Sequence, residues 1–301
     1  MFELWTGEGD SSFENPVTLT LYDSGGIDTL DLRTDSADQQ VDLRPERFSD
    51  VYGLVGNLII AQDTLIENFI GGSGDDVVTG NDAANYLQGR DGNDDLSGGR
   101  GDDVLEGGAG ADRLDGGPGT DWASYHGSNT AVTINLGQRT LTGGHAEGDV
   151  LVNIENIIGS AYADVLIGND AANSLEGGAG ADRLSGGAGE DTASYAQSAA
   201  GVTVRLHSSE VRGGDAEGDT FAAMVTVEYI DGDGDTRQET VSDVEHLLGS
   251  KHADTLAGDS RANRLEGGGG DDRLYAVPAA VMTCCWADPA PMPCLAVSVT
   301  M

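Results

Sequence analysis

A nine-residue unit repeats six times without a break between residues 71 and 124. The units read GGSGDDVVT, GNDAANYLQ, GRDGNDDLS, GGRGDDVLE, GGAGADRLD and GGPGTDWAS. Glycine recurs at positions one, two and four, where it lets the backbone adopt the left-handed angles of a tight turn. The last three residues suffice for a short strand whose middle residue, at position eight, is apolar. The unit therefore predicts a turn followed by a strand with one inward side chain.

Two such units make one coil of eighteen residues, so loops eighteen residues apart in sequence lie above one another. This predicts an all-β fold, a right-handed parallel β-roll (β-solenoid) of nonapeptide repeats with interspersed β spacers. Acidic or amide side chains at position six then face one another across successive coils. The predicted pairs are Asp76 with Asp94, Asn85 with Asp103, Asp94 with Asp112, and Asp103 with Asp121.

Carboxylates flanked by loop carbonyls form a set of hard oxygen donors. Such donors suit Ca²⁺ at about 2.3 to 2.6 Å and do not suit zinc, which prefers nitrogen and sulfur. We therefore expect several calcium ions as cofactors and no zinc. One aliphatic side chain per unit buries too little apolar surface to order nine residues. The roll is accordingly expected to be disordered without calcium and to fold when calcium binds.

The unit recurs in two further blocks. The second runs GSAYADVLI, GNDAANSLE, GGAGADRLS and GGAGEDTAS from Gly159, and the third runs GSKHADTLA, GDSRANRLE and GGGGDDRLY from Gly249. Each block follows a similar phrase, IENFIG, IENIIG or VEHLLG, whose glutamates are Glu67, Glu155 and Glu245. These glutamates are 88 and 90 residues apart, so the chain reads as an array of three long units.

The array predicts seven regions along the chain. They are a β segment at 1–70, the first block at 71–124, a β spacer at 125–158, the second block at 159–194, a β spacer with a hairpin insertion at 195–248, the third block at 249–275 and an atypical, disordered tail at 276–301.

The spacers contain alternating apolar residues that predict strands extending the stack, such as Val132, Ile134 and Leu136. In the second spacer, MVTVEYIDGDGDTRQETV reads as a hairpin. Its DGDGD turn resembles an EF-hand loop, but Thr236 stands where glycine is needed and Ser242 where a bidentate glutamate is needed. A solvated turn is the favoured interpretation, and an isolated calcium site is the alternative.

The formal net charge of −37 excludes a generic nucleic-acid binder and disfavours adsorption to an anionic membrane. Acidic composition alone is more typical of a disordered chain, but here the acids keep register with glycine. No apolar stretch is long enough for a membrane span, and the opening MFELWTGEGDSS lacks the regions of a secretory signal peptide. All three cysteines lie in the tail, which is interpreted as foreign to the repeat or as an ordinary disordered terminus.

The three blocks resemble haemolysin-type calcium-binding (RTX) repeats. The segments LTLYDSGGIDTLDL and VDLRPERFSDVYGLVGNLIIAQDTLIENFIGGSGDD, between Leu19 and Asp76, resemble the start of the C-terminal β-roll domain of serralysin-type secreted metalloproteases. The zinc motif of that family, HExxHxxGxxH, does not occur in this sequence. Protease activity is therefore not transferred to the chain, which we predict to be non-enzymatic.

The resemblance implies a ligand scheme in which position six of two loops is joined by main-chain oxygens from positions two and four of one loop and positions one and three of the next. In the first block it implicates Gly72, Gly74 and Asp76 with Gly89, Asp91 and Asp94; Arg90, Gly92 and Asp94 with Gly107, Ala109 and Asp112; Asn85 with Gly98, Arg100 and Asp103; and Gly99, Gly101 and Asp103 with Gly116, Pro118 and Asp121. In the other blocks it implicates Asp164 with Gly177, Ala179 and Asp182; Asn173 with Gly186, Ala188 and Asp191; and Asp254 with Gly267, Gly269 and Asp272.

Some residues depart from this scheme. Arg90 replaces a position-two glycine, which is tolerable if its side chain points to solvent. Asparagine replaces aspartate in the second unit of every block, which predicts partial sites at Asn85, Asn173 and Asn263. The loops of Asp164 and Asp254 lack the position-four glycine.

The resemblance also implies an extracellular protein exported unfolded through a type I secretion apparatus, which millimolar external calcium then folds. The leading hypothesis is a non-catalytic calcium-binding module that acts in folding and secretion or as a scaffold for a cell-surface component. The alternative is the calcium-binding part of a serralysin-like zinc metalloprotease that lacks its catalytic domain. A hydrolase has little support, because the carboxylates lie in the calcium frame and no GxSxG motif occurs.

Overall fold

The computed structural model describes residues 2–3, 19–207, 210–221, 225–230, 236–241 and 243–275. The expected tail at 276–301 and the DGDGD turn at 231–235 lie outside these residues. The chain forms two compact units, one of Met1–Ser128 with Leu141–Ile154 and the other of Asn129–Thr140 with Glu155–Met301. A strand at Thr140–Thr142 is divided between them.

Short parallel strands build the first unit. One sheet contains, in spatial order, Phe2–Glu3, Thr29–Asp31, Asn68–Ile70, Tyr86–Asp91, Val104–Ala109 and Trp122–Ser124. A second contains Gln40–Asp42, Val77–Thr79, Asp95–Ser97, Arg113–Asp115 and Val150–Val152. A third pairs Leu19–Leu21 with Leu58–Ile60 in parallel and Leu58–Ile60 with Phe48–Ser49 in antiparallel orientation.

The second unit repeats this organisation. Its longest run of parallel strands contains Asn156–Ile158, Ser174–Glu176, Thr192–Ser194, His246–Leu248 and Arg264–Glu266. A further parallel run contains Thr133–Asn135, Val165–Ile167, Arg183–Ser185 and Thr220–Phe221. Another contains Thr203–Arg205, Thr255–Ala257 and Arg273–Tyr275, with Glu210–Arg212 antiparallel to Thr203–Arg205. Val225–Ile230 and Thr236–Val241 form an antiparallel hairpin.

The strands pair in the register that the repeat predicts. Leu96 is opposite Val78 on one side and Leu114 on the other, at a separation of eighteen residues. The position-eight side chains of the first two blocks are at most 1% exposed and so form the core of each coil. These are Val78, Leu87, Leu96, Leu105, Leu114, Ala123, Leu166, Leu175, Leu184 and Ala193. The expected all-β parallel β-roll is confirmed.

The spacers join the stack. Thr133–Asn135 and Thr203–Arg205 pair with the first strands of the second and third blocks, and their inward residues Ile134 and Val204 are fully buried. Two 3-10 turns, Gly144–Ala146 and Gly214–Ala216, lie in the repeated GGHAEGD and GGDAEGD motifs. No helix within the described ranges is long and apolar enough to cross a membrane.

Candidate calcium sites

The position-six side chains form rows in which each carboxylate contacts the coil before it. The backbone N–H of Asp76 donates to Oδ1 of Asp94 at 2.8 Å, and that of Asp94 donates to Oδ1 of Asp112 at 2.8 Å. The other row of this block has the same bonds from Asn85 to Asp103 and from Asp103 to Asp121. The structure thus brings together the four pairs that were predicted from the spacing of eighteen.

The rows of the second unit obey the same rule. The N–H of Asp164 donates to Asp182 Oδ1 and that of Asn173 donates to Asp191 Oδ1, both at 2.8 Å. In the third block Asp254 donates to Asp272 Oδ1 at 2.9 Å. A row exists because a three-residue strand followed by a six-residue turn returns each position six to the same place after two units.

The second oxygen of several of these carboxylates is buried and has no hydrogen-bond partner among the described residues. The oxygens are Oδ2 of Asp94, Asp103, Asp112, Asp182, Asp191 and Asp272. A buried anionic oxygen without a partner is strongly unfavourable, and native proteins satisfy such groups with hydrogen bonds, paired charges or metals. All six belong to third or later units of their blocks.

The position-one glycine leaves a cradle beside each of these oxygens. A Cβ built on Gly89 would lie 2.8 Å from the carbonyl oxygen of Gly107 in the next coil and closer still to Asp94 Oδ2. Both oxygens therefore point at one small space that only glycine leaves open. Two oxygens of different coils converging on a space without a side chain fit a cation with hard oxygen ligands.

Main-chain oxygens of the loops also face the next coil. A Cβ on Gly108 would contact the carbonyl oxygen of Arg90, and one on Gly110 would contact that of Gly92. These are the position-two and position-four oxygens implied by the family scheme. The carbonyl oxygen of Ala109, at position three, accepts the N–H of Gly92 at 3.0 Å. An oxygen with two lone pairs can accept this bond and still contact a cation.

Burial raises the pKa values of several row carboxylates. The pKa of Asp94 rises to about 8, first through desolvation and then through repulsion from Asp112 and Asp76. Desolvation raises the pKa of Asp182 to about 7 and those of Asp103 and Asp191 to about 6. Without a cation, these groups are stabilised by taking up protons, as expected for carboxylates arranged to share a positive charge.

The side-chain amides of the asparagines in the second units donate hydrogen bonds to main-chain oxygens. Asn85 Nδ2 donates to the carbonyl oxygen of Glu67 at 3.0 Å, and its Oδ1 accepts the N–H of Asn81 at 2.8 Å. The side-chain amides of Asn173 and Asn263 donate the equivalent hydrogen bonds to the carbonyl oxygens of Glu155 and Glu245. Between these pairs of coils, the protein itself therefore supplies the hydrogen-bond donor.

In the first units of the later blocks, a serine hydroxyl supplies the hydrogen-bond donor. Ser160 Oγ is 2.9 Å and 3.0 Å from the two oxygens of Asp164, and Ser250 Oγ is 3.0 Å and 3.1 Å from those of Asp254. In the first block, Asp76 Oδ2 accepts the N–H of Gly72 at 3.2 Å, and the N–H groups of Ser160 and Ser250 make the same bond in the later blocks. The opening units thus close with internal hydrogen bonds.

Arg90 takes the left-handed conformation expected of the glycine that it replaces, with φ of 86°. Its guanidinium donates to the carbonyl oxygen of Arg33 at 2.9 Å. The side chain thus bonds to a neighbouring loop of the first unit, whereas the sequence predicted only that it would point to solvent.

Three acidic residues outside the blocks continue the rows and were missed by the sequence reasoning. Asp149 Oδ1 accepts the N–H of Asp112, Asp219 Oδ1 accepts that of Asp182, and Glu245 Oε2 accepts that of Asp191. Asp149 and Asp219 end the motifs GGHAEGD and GGDAEGD and precede short strands, as position-six aspartates do. That shared ending was the available signal.

Within the described residues, no group of three or more His, Cys, Asp or Glu side chains gathers as a metal-binding cluster. The candidate sites do not require one, because each offers one or two carboxylates together with several main-chain oxygens. Such donors fit calcium, and the third and later units would hold it.

Two family models match the chain. Residues 8–133 match the family described as Peptidase M10 serralysin C terminal, and residues 158–193 and 248–276 match the RTX calcium-binding nonapeptide repeat. Both resemblances drawn from the sequence are confirmed. The chain thus carries a serralysin C-terminal region and RTX calcium-binding repeats.

Similar proteins include serralysins and a related metallopeptidase. Serralysin of Photorhabdus laumondii is 45% identical over 86 residues, which are 29% of this chain and 17% of that protein. Serralysin of Proteus mirabilis is 51% identical over 71 residues, covering 24% of this chain and 14% of the relative. Metallopeptidase AprA of Pseudomonas marginalis is 43% identical over 78 residues, covering 26% and 16%. The match thus spans less than a fifth of each of these relatives.

Proposed function

We propose that this chain is an extracellular, non-catalytic calcium-binding β-roll module that folds when calcium binds. The main observation in its support is the set of buried aspartate oxygens that lie beside glycine cradles and have no hydrogen-bond partner among the described residues. The RTX family match supports calcium as the ion. The proposed ligands are the position-six aspartates of the third and later units, with the main-chain oxygens of the family scheme.

Calcium would neutralise rows of carboxylates that otherwise repel one another in a buried setting. The chain's formal charge of −37 opposes compaction in the same way. Low calcium inside a cell would keep the chain unfolded for export through a type I apparatus, and millimolar calcium outside would fold it.

Circular dichroism of the full chain during a calcium titration tests this proposal. At a pH near 8 or above, we expect an unfolded spectrum in excess chelator and a β spectrum at millimolar calcium. A magnesium titration provides the control, because Mg²⁺ requires a smaller, near-octahedral site. A full β spectrum in excess chelator would refute folding on calcium binding, and equilibrium dialysis without bound calcium would refute the binding itself.

A second candidate function is the calcium-binding part of a serralysin-like zinc metalloprotease. The match of residues 8–133 to the serralysin C-terminal family favours it. In that case the partner would be a separately encoded protease domain. Sequencing of the neighbouring genomic DNA tests the idea, because a reading frame with HExxHxxGxxH directly upstream would support it and an unrelated gene would not.

A further inference from the structure

Two aspartates outside the nonapeptide blocks stand where the next position-six carboxylate of a row would stand. The N–H of Asp112 donates to Asp149 Oδ1 and that of Asp182 donates to Asp219 Oδ1, both at 2.8 Å. The residues of each pair are 37 apart in sequence, whereas neighbours inside a block are 18 apart. Each row therefore gains one more carboxylate from a spacer.

The carboxylates before these two are incompletely satisfied. Oδ2 of Asp112 and Oδ2 of Asp182 are buried and have no hydrogen-bond partner in the part of the chain that the structure describes, and the two residues are 1% and 0% exposed. Each oxygen points over its position-one glycine, Gly107 or Gly177, as in the regular sites. Asp149 and Asp219 are themselves only 7% and 4% exposed, so two buried carboxylates meet at each step.

A buried tyrosine holds each spacer aspartate. The hydroxyl of Tyr125 donates to Asp149 Oδ2 at 3.1 Å, and that of Tyr195 donates to Asp219 Oδ2 at 3.1 Å. Both tyrosines are 2% exposed. The oxygen that is unpartnered inside the blocks thus has an internal donor here. Since the phenol occupies Oδ2, Oδ1 remains the oxygen that faces the preceding coil.

We propose that Asp149 and Asp219 are terminal calcium ligands, each of which completes with Asp112 or Asp182 the last calcium site of its row. Tyr125 and Tyr195 are positioning residues that orient these carboxylates and end the rows. The inference rests on the proposed function, because it extends calcium binding from the regular loops to the spacers. It adds one ion to each unit.

The test is a calcium count on the full chain by equilibrium dialysis. Asp149→Asn and Asp219→Asn, which retain side-chain size, should each bind one ion fewer than the unaltered chain, and the double variant two fewer. Glu147→Gln and Glu217→Gln are matched controls, because each removes one exposed charge from the same motif. They should keep the full count.

An unchanged count in Asp149→Asn and Asp219→Asn, with calcium bound by the unaltered chain, would overturn this inference and leave the proposed function intact. A chain that binds no calcium at all would instead overturn the proposed function. If the asparagine variants do not fold, Tyr125→Phe provides the measurement, because it keeps every carboxylate. It should weaken one site about tenfold, as expected for losing one hydrogen bond to a charged group. Unaltered affinity in Tyr125→Phe would contradict the proposal.

Discussion

The side-chain amide of Asn85 donates to the main-chain oxygen of Glu67 at 3.0 Å, across one coil of eighteen residues. The same bond joins Asn173 to Glu155 at 2.6 Å and Asn263 to Glu245 at 2.9 Å. A neutral amide carries its own hydrogen-bond donor, so the contact between these two coils does not need a cation. Each block therefore opens on a contact that the chain can make without metal.

Replacing Asn173 by aspartate tests that contact. The carboxylate of Asn173→Asp cannot donate to the carbonyl oxygen of Glu155. Two hydrogen-bond acceptors, the carboxylate oxygen and this carbonyl oxygen, would then face each other in a buried position. The cost of such an unsatisfied group is about 1 to 3 kcal/mol. We expect this cost to outweigh the gain of a second carboxylate beside Asp191, so the calcium concentration at half-folding, followed by circular dichroism, should rise. Asp170→Asn, at an exposed position of the same turn, is the control. A lower or unaltered midpoint in Asn173→Asp would argue against the role of the amide.

The row carboxylates predict an unusual pH dependence in calcium-free buffer. Several of them have folded pKa values above the ordinary 3.8 of aspartate, reaching about 8 at Asp94 and about 7 at Asp182. At pH values between the unfolded and the folded pKa, the folded chain holds protons that the unfolded chain has released. The free energy of unfolding is therefore greatest below about pH 4 and falls as the pH rises towards about 8. Calcium-free circular dichroism from pH 4 to pH 8 should show β structure only at the acidic end. A spectrum that gains β structure with rising pH would contradict this sign.

Asp103 is predicted to serve two sites, because it lies between the loops of Asn85 and Asp121. Asp103→Ala should therefore reduce the calcium count by two in equilibrium dialysis. Asp102→Asn removes the neighbouring exposed carboxylate and should leave the count unaltered. Equal counts in Asp103→Ala and the unaltered chain would show that the rows are assigned in the wrong register.

Gly98 tests the cradle separately from backbone strain, since its φ lies outside the left-handed region. A Cβ there would lie 2.7 Å from Asp103 Cγ and closer to Oδ2, in the space proposed for the ion. Gly98→Ala should destabilise the calcium-loaded roll by about 1 to 3 kcal/mol in denaturant titrations, as overpacking does. Gly137→Ala is the control, because its nearest neighbour lies 3.4 Å from the added carbon. Equal stabilities of the two variants would disprove the cradle.

The periodicity of the sequence was enough to predict the β-roll, the inward residues and the spacing of eighteen. It could do so because the relevant contacts repeat at a fixed separation, so that one unit such as GGRGDDVLE implies its neighbours. Leu105 opposite Leu87 and Ala123 follows directly from counting.

Contacts that break the period were decided only by the tertiary structure. The bond from Asp112 to Asp149 spans 37 residues because a spacer intervenes, and no period of nine predicts it. The hydrogen bonds made by the Asn85 side-chain amide and the Ser160 hydroxyl likewise depend on which donors and acceptors lie close together in the folded chain. A repeat thus determines its regular coils from local chemistry alone, whereas the ends of each row depend on which distant groups the folded chain brings beside them.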